Sequence, residues 1–298
     1  MKYSILYLFI LAIVFTSCKE KTEETVVVEP KTDTIHSDLK SALTLYASFD
    51  NGVDADFALG DSKLYSVTDR KVLDSAKVGI HKEGVSLVDD KGRYGNGLKY
   101  ADKTKGYIYY KSSKNIAYSK TNWSSSISFW LSLDPNTDLK PGYCDPIQIT
   151  DSGYNDAGIW VDFTKDNPRD FRLGVIEDRT AWNPNPEGPD NENPNFIKML
   201  RSAANPPFAK GEWTHVVINL SGLNTEKGKA ELYMNGDLKA TRNNITNPFT
   251  WELEKSNILL GLSYIGLMDD LSIYNKSLSK EEIKSLYNLE NGVHSLLK

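Results

Sequence analysis

Ile127-Ser128-Phe129-Trp130-Leu131-Ser132-Leu133 is the stretch on which the fold turns. Apolar side chains fall at every second position, with Ser-Trp-Ser between them. A period of two marks a strand with one face against a core, whereas a helix would scatter these residues around its axis. Working outward, Ile159-Trp160-Val161-Asp162-Phe163 and Phe171-Arg172-Leu173-Gly174-Val175 alternate in the same way. Leu43 to Phe49, Thr214 to Leu220, Ala230 to Met234, Ile258 to Leu262 and Leu267 to Tyr274 supply further short runs, separated by Gly, Asn, Asp and Pro clusters. Asn235-Gly236 after Tyr233-Met234 signals a two-residue hairpin turn, because both positions need residues tolerant of positive φ. Together these runs predict an all-β, two-sheet antiparallel sandwich. Only the end departs from it: Ser279 with Glu282 three residues on forms a capping box, opening a short helix through Leu289.

The chain has 298 residues, 20 Gly and 12 Pro, with 25% charged and 40% hydrophobic side chains. Such a composition excludes wholesale disorder, and the length suits one large β domain. Lys plus Arg number 35 against 40 Asp plus Glu, a net charge of −5. With no local basic cluster, a nucleic-acid partner is not expected. Half of the prolines crowd into Trp182 to Phe208. That segment cannot be an interior strand, since each Pro removes a ladder donor, and it is expected to be an ordered loop over one rim of the sandwich.

The first residues read as an address. An apolar run from Ile5 to Phe15 follows a single Lys. Eleven residues are too few for a span of about 20, so a signal peptide over residues 1–17 fits better. Phe15-Thr16-Ser17-Cys18 resembles a bacterial lipobox, which implies lipidation at Cys18 and an outer-membrane or cell-surface location, with the membrane engaged through the anchor alone. Cys144 is then left without a disulfide partner. Residues 18–42 are charged and read as a flexible tether, leaving 43–298 as the domain.

Three segments then form an ordered series: Gly211-Glu212-Trp213-Thr214-His215-Val216-Val217, Ala230-Glu231-Leu232-Tyr233-Met234-Asn235-Gly236, and Gly266 to Ser279 with Glu281-Glu282-Ile283. Upstream stand Phe49-Asp50, Gly92-Arg93-Tyr94-Gly95-Asn96-Gly97-Leu98 and Ser126 to Trp130. The series resembles the laminin-G-like modules of the concanavalin A-like lectin/glucanase superfamily. The resemblance implies a jelly roll with one concave sheet. It implies no single function, since such folds serve lectins, structural modules, glycosidases and lyases. It also implies a structural calcium ion near the chain ends. Asp50 after the first strand and Asp269-Asp270 in the last are the expected ligands, with Asp54, Asp56 and Asp61 in the adjoining loop.

Strand parity places Trp130, Gln148, Trp160, Asp162 and Arg172 off the core. If their strands share a sheet, that face suits sugars: an indole covers the apolar face of a pyranose while Asp, Gln and Arg bond its hydroxyls. Trp182 opens the proline-rich segment, which would wall the groove. Arg172 can instead meet the carboxylate of an acidic polysaccharide, or simply pair with Asp162 across strands. Hydrolysis calls for two flanking carboxylates, and Ile159–Phe163 carries one; Glu177 and Asp178 are the nearest source of a second. A lyase would need a neutraliser such as Gln148 or Arg172 and a base such as Tyr143, Tyr154 or His215. The favoured expectation is non-catalytic binding of a polysaccharide or glycan. The alternatives are a polysaccharide-degrading enzyme on the same face and a protein-binding adhesion module.

Overall fold

The computed structural model describes residues 32–68, 76–81, 83–103 and 105–298. The expected signal peptide, the expected lipidation site at Cys18 and residues 18–31 of the expected tether therefore lie outside the described residues. The strands are β1 (Leu43–Ala47), β2 (Phe57–Ala58), β3 (Tyr65–Val67), β4 (Lys77–Val78), β5 (Val85–Val88) and β6 (Gly97–Tyr100). They continue with β7 (Tyr107–Lys111), β8 (Trp123–Ser132), β9 (Cys144–Thr150), β10 (Gly158–Phe163), β11 (Phe171–Ile176) and β12 (Leu200–Ser202). The last are β13 (Thr214–Leu223), β14 (Gly228–Met234), β15 (Asp237–Ile245), β16 (Asn257–Leu262) and β17 (Gly266–Tyr274). The helices are α1 (Thr32–Ala42), α2 (Pro135–Asp138), α3 (Arg179–Trp182), α4 (Pro194–Met199), α5 (Lys280–Tyr287) and α6 (His294–Leu297).

Two antiparallel sheets form the sandwich. Sheet A runs β15-β14-β13-β8-β17-β1-β2, with β6 also paired to β17 and β5 to β6; sheet B runs β12-β11-β10-β9-β16-β7-β3-β4. Parity works as expected on β8. Ile127, Phe129, Leu131 and Leu133 enter the core between the sheets, where Ile147, Ile149, Ile159, Val161, Phe163, Leu173 and Val175 meet them. The hairpin between β14 and β15 turns at Asn235 and Gly236, whose φ values of 51° and 80° are those of a type I′ turn.

A helical layer covers the outer face of sheet A. Leu39 of α1, Ile283 and Leu286 of α5 and Leu296 of α6 pack on Tyr46, Val217, Tyr233 and Tyr274. The Ser279 hydroxyl accepts from the Glu282 N–H at 3.2 Å, and the Glu282 carboxylate accepts from the Ser279 N–H at 2.8 Å. Residues 32–42 are thus not tether but the first helix of the domain, because Leu39 finds a buried seat.

Candidate functional site

The outer face of sheet B carries a cleft at β9, β10 and β11. Cross-strand register places Trp160 opposite Gln148 on one side and Gly174 on the other, and Asp162 opposite Arg172. Four of the expected residues, Gln148, Trp160, Asp162 and Arg172, therefore share one surface, and all line a cleft of about 310 Å³.

Arg172 and Asp162 form a two-point pair, Nε to Oδ1 at 2.9 Å and Nη2 to Oδ2 at 2.5 Å. Burial pushes the Asp162 carboxyl up, against the pull of the guanidinium. Burial works against the charge on Arg172 too, but the hydrogen bond and charge of Asp162 outweigh it and raise the guanidinium above its ordinary value. Trp160 lies flat across β11: a Cβ on Gly174 would stand 2.3 Å from Trp160 Cε2, so only glycine fits beneath the indole. Its Nε1 donates to the Tyr154 carbonyl at 2.9 Å.

The proline-rich segment is ordered over this face. It follows from the end of α3 and folds into a 3-10 turn at Asp190–Glu192, α4 and β12, the last pairing with β11. Asn193 caps α4 by accepting from the Asn195 N–H at 2.8 Å, with Pro194 at the first helical position where a missing donor costs nothing. Phe196 then stacks on Trp160 with ring centroids 6.3 Å apart. Asp190 ties the segment down, accepting from Asn183 at 2.7 Å and from Asn155, with the Arg179 guanidinium at 2.7 Å.

Two tyrosines weighed only as proton acceptors supply the cleft's open aromatic surface. Tyr143 and Tyr154 line it and are each 40% exposed. The Arg172 guanidinium sits 5.2 Å above the Tyr143 ring, and Tyr154 meets Phe196 edge-on at 5.7 Å. Arg169 steadies the loop before Tyr143, donating to the carbonyls of Lys140 at 2.7 Å and Gly142 at 2.8 Å. Both tyrosines lie beside turns rather than on alternating strands, and the only signal for them was an aromatic next to Gly142 or Gly153.

Other expected residues lie elsewhere. Trp130 is on β8, in sheet A, and 2% exposed; Tyr287 of α5 stacks on it at 5.8 Å and Arg93 lies 4.9 Å from its ring. Off-core it is, but the helical layer covers that side. Trp182 packs inward with Trp160, Ile176, Phe196 and Met199, so it supports the cleft wall without lining it. Glu177 is buried against Arg242, and Asp178 accepts from the Thr250 N–H at 2.6 Å and hydroxyl at 2.7 Å, so neither supplies a second acid. His215 is buried in sheet A beside the Ser128 hydroxyl at 2.8 Å, and burial pushes its imidazole down to about 3. It has no route to a substrate.

Each of the acids expected to hold calcium accepts at least one hydrogen bond within the fold. Asp50 Oδ1 accepts from the Asn96 N–H at 2.8 Å and Asp269 Oδ2 from the Tyr94 N–H at 2.9 Å. Asp270 accepts from the Tyr46 hydroxyl at 2.8 Å and the Val293 N–H at 3.2 Å. Asp269 Oδ1 is buried without a hydrogen-bond partner among the described residues. Among the described residues no three His, Cys, Asp or Glu side chains gather where they can hold a metal ion. The three acids fasten β1 and β17 to the 94–96 turn and the C-terminal segment. Asp54, Asp56 and Asp61 likewise accept from nearby backbone N–H groups.

These buried acids make stability depend on pH. Burial, reinforced by Asp270 and Asp50, pushes the Asp269 carboxyl up to about 8. The folded chain therefore keeps a proton that the unfolded chain, titrating near 3.8, has released, and this contribution disappears as pH rises through 8. Below pH 6.5 the neutral buried His215 acts in the opposite sense, losing stability as pH falls. The clean window is pH 6.5 to 8, where stability is expected to drop by roughly 1–2 kcal/mol. Denaturant titrations across that window check it: Asp269→Asn should flatten the slope, and an unchanged slope in that variant would assign it elsewhere.

Residues 102–284 match the laminin G family described as the concanavalin A-like lectin/glucanases superfamily. The chain belongs to this superfamily. Among solved structures, this concanavalin A-like domain is similar to domain 4 of AbnA, a GH43 extracellular arabinanase from Geobacillus stearothermophilus, in complex with arabinotriose. The TM-score is 0.52 at 16% identity, over 83% of this chain and 98% of that one. It is also similar to the botulinum neurotoxin serotype D ligand-binding domain in complex with N-acetylneuraminic acid, with a TM-score of 0.52 at 14% identity, over 86% of this chain. The chain spans about half of that toxin domain, 53%. At these identities the likeness concerns the fold. No curated relative matches the chain.

Proposed function

We propose that the domain binds a glycan in the cleft on the outer face of sheet B, without catalysing a reaction on it. The observation carrying this is the pair of exposed rings, Tyr143 and Tyr154, beside a floor of hydrogen-bonding groups from Gln148, Asp162 and Arg172. Rings cover the apolar faces of sugars, and amide and charged groups fix their hydroxyls. The two similar domains, one with arabinotriose and one with N-acetylneuraminic acid, support a saccharide as the ligand class. Against hydrolysis stands the state of the acids: Asp162 is tied at two points to Arg172, and Glu177 and Asp178 are engaged away from the cleft.

A glycan array with the purified chain, run beside reducing-end and unsaturated-uronate assays, tests the proposal. Tyr143→Ala and Tyr154→Ala are each expected to weaken binding about tenfold, ~1.4 kcal/mol, while leaving the melting temperature nearly unchanged. Product formation would make the domain an enzyme, and silence in every assay would favour a protein ligand. We further propose, from Cys18 and the apolar run before it, that the chain is a lipid-anchored surface protein. Cys18→Ala should then move it out of the membrane fraction, and unaltered retention would refute the anchor.

A further inference from the structure

We infer that the cleft is one end of a longer site, whose ligand is an extended polysaccharide chain crossing the strands of sheet B from Trp160 to Tyr65. The inference rests on the cleft being a glycan site. Strand register lays the path. Trp160 on β10 stands opposite Gln148 on β9, Gln148 opposite Leu259 on β16, Leu259 opposite Tyr109 on β7 and Tyr109 opposite Tyr65 on β3, with Val78 of β4 ending the row. Residues paired directly across antiparallel strands share a face. That face is the outer one, because the strand neighbours of this row, such as Ile147 and Ile149 or Ile108 and Tyr110, enter the core.

The cleft is walled at one end and continued at the other. Phe196 of α4 and Leu200 of β12 line it on the β11 side, whereas Leu262 and Ser263 carry it across to β16. Leu262 belongs to one apolar cluster with Leu259, against which Tyr109 packs, so the last strand of the cleft leads into the row. Tyr109 and Tyr65 are half-buried and stack with centroids 5.4 Å apart and planes 21° from parallel. Tyr107 meets Tyr109 edge-on at 5.9 Å, the Tyr65 hydroxyl donates to Asp61 at 2.8 Å, and Lys111 Nζ lies 5.0 Å from the Tyr65 ring. The two rings are thus held in place by the fold, and a sugar laid against them costs them little freedom. Three spacings of about 4.8 Å separate β9 from β3, so a ligand reaching both Gln148 and Tyr65 spans ~14 Å. A single sugar is too short for that; a chain of several linked sugars is not.

The test titrates the purified full chain with cello-, manno-, xylo- and arabino-oligosaccharides, each as a ladder from disaccharide to octasaccharide, and with ladders of any further glycan that the array shows to bind. In whichever series binds, affinity should climb at least about tenfold between trisaccharide and hexasaccharide and then level off. Tyr109→Ala and Tyr65→Ala should each remove most of that gain while leaving trisaccharide binding as it was. Because both rings pack on neighbours, Tyr109→Leu fills the space without a ring and gives a second reading, with the melting temperature showing that each variant is folded. Tyr143→Ala, inside the cleft, should weaken short and long members alike. Affinity that stays flat beyond the trisaccharide, or ladders unchanged in folded Tyr109 and Tyr65 variants, would overturn the inference and leave the cleft standing as a site for short glycans. Binding to no glycan of any length would remove the site and the inference together.

Discussion

Replacing Arg242 with methionine is expected to cost about 3–5 kcal/mol of folding stability. Arg242 stands on β15 at the edge of sheet A and reaches across to sheet B. Its Nη2 donates to both oxygens of Glu177 at 2.6 and 2.7 Å, and Nη1 to the Val175 carbonyl. Both side chains are buried, so losing the guanidinium strands a carboxylate with no water to solvate it. The double variant Arg242→Met with Glu177→Leu should recover most of the loss, since two apolar groups of similar size need no partner. Denaturant titration of both variants decides the matter. A loss below about 1 kcal/mol in the single variant would mean the pair contributes little.

Trp160→Ala should cost a similar amount, about 3–5 kcal/mol, by opening a cavity beneath the lid. The indole is the shared contact between β11 and the proline-rich segment: it rests on Gly174, carries Phe196 and bonds the Tyr154 carbonyl. Its removal is also expected to abolish glycan binding, because Tyr154 loses its backing. Trp160→Phe should retain much of the stability by filling part of the space. Calorimetry and glycan titration on the same samples separate the two effects. Unchanged binding in a folded Trp160→Ala variant would remove the indole from the account of the site.

The sandwich was legible because alternation is a local property. Ile127, Phe129 and Leu131 declare a core face without knowledge of any partner strand, and Asn235-Gly236 declares its own turn. Sheet membership is not local. Trp130 and Trp160 sit in nearly identical patterns, yet β8 pairs with β13 and β17 while β10 pairs with β9 and β11. One tryptophan is covered by a helix and the other forms the cleft floor, and nothing within ten residues of either tells them apart. Tyr143 and Tyr154 escaped for another reason: turn residues carry no period, so their exposure follows only from the loops around them. Helix α1 was missed because its charged composition hides one apolar seat, Leu39, whose value depends on α5 and α6 more than 240 residues away.

The helical layer behind sheet A has a mechanical consequence. Thr32 opens α1 within that layer, and Lys298 lies beside it, its carbonyl accepting from Lys40 Nζ at 3.5 Å. Residues 32 and 298 thus both lie in the layer on the side away from the cleft. Load between that layer and a ligand on sheet B passes through the strands and their shared core, and reaches the 182–208 segment as well, because Asn191 and Phe196 line the cleft. Under load applied at Thr32, α1, held chiefly by side-chain packing, should peel before the sandwich itself yields.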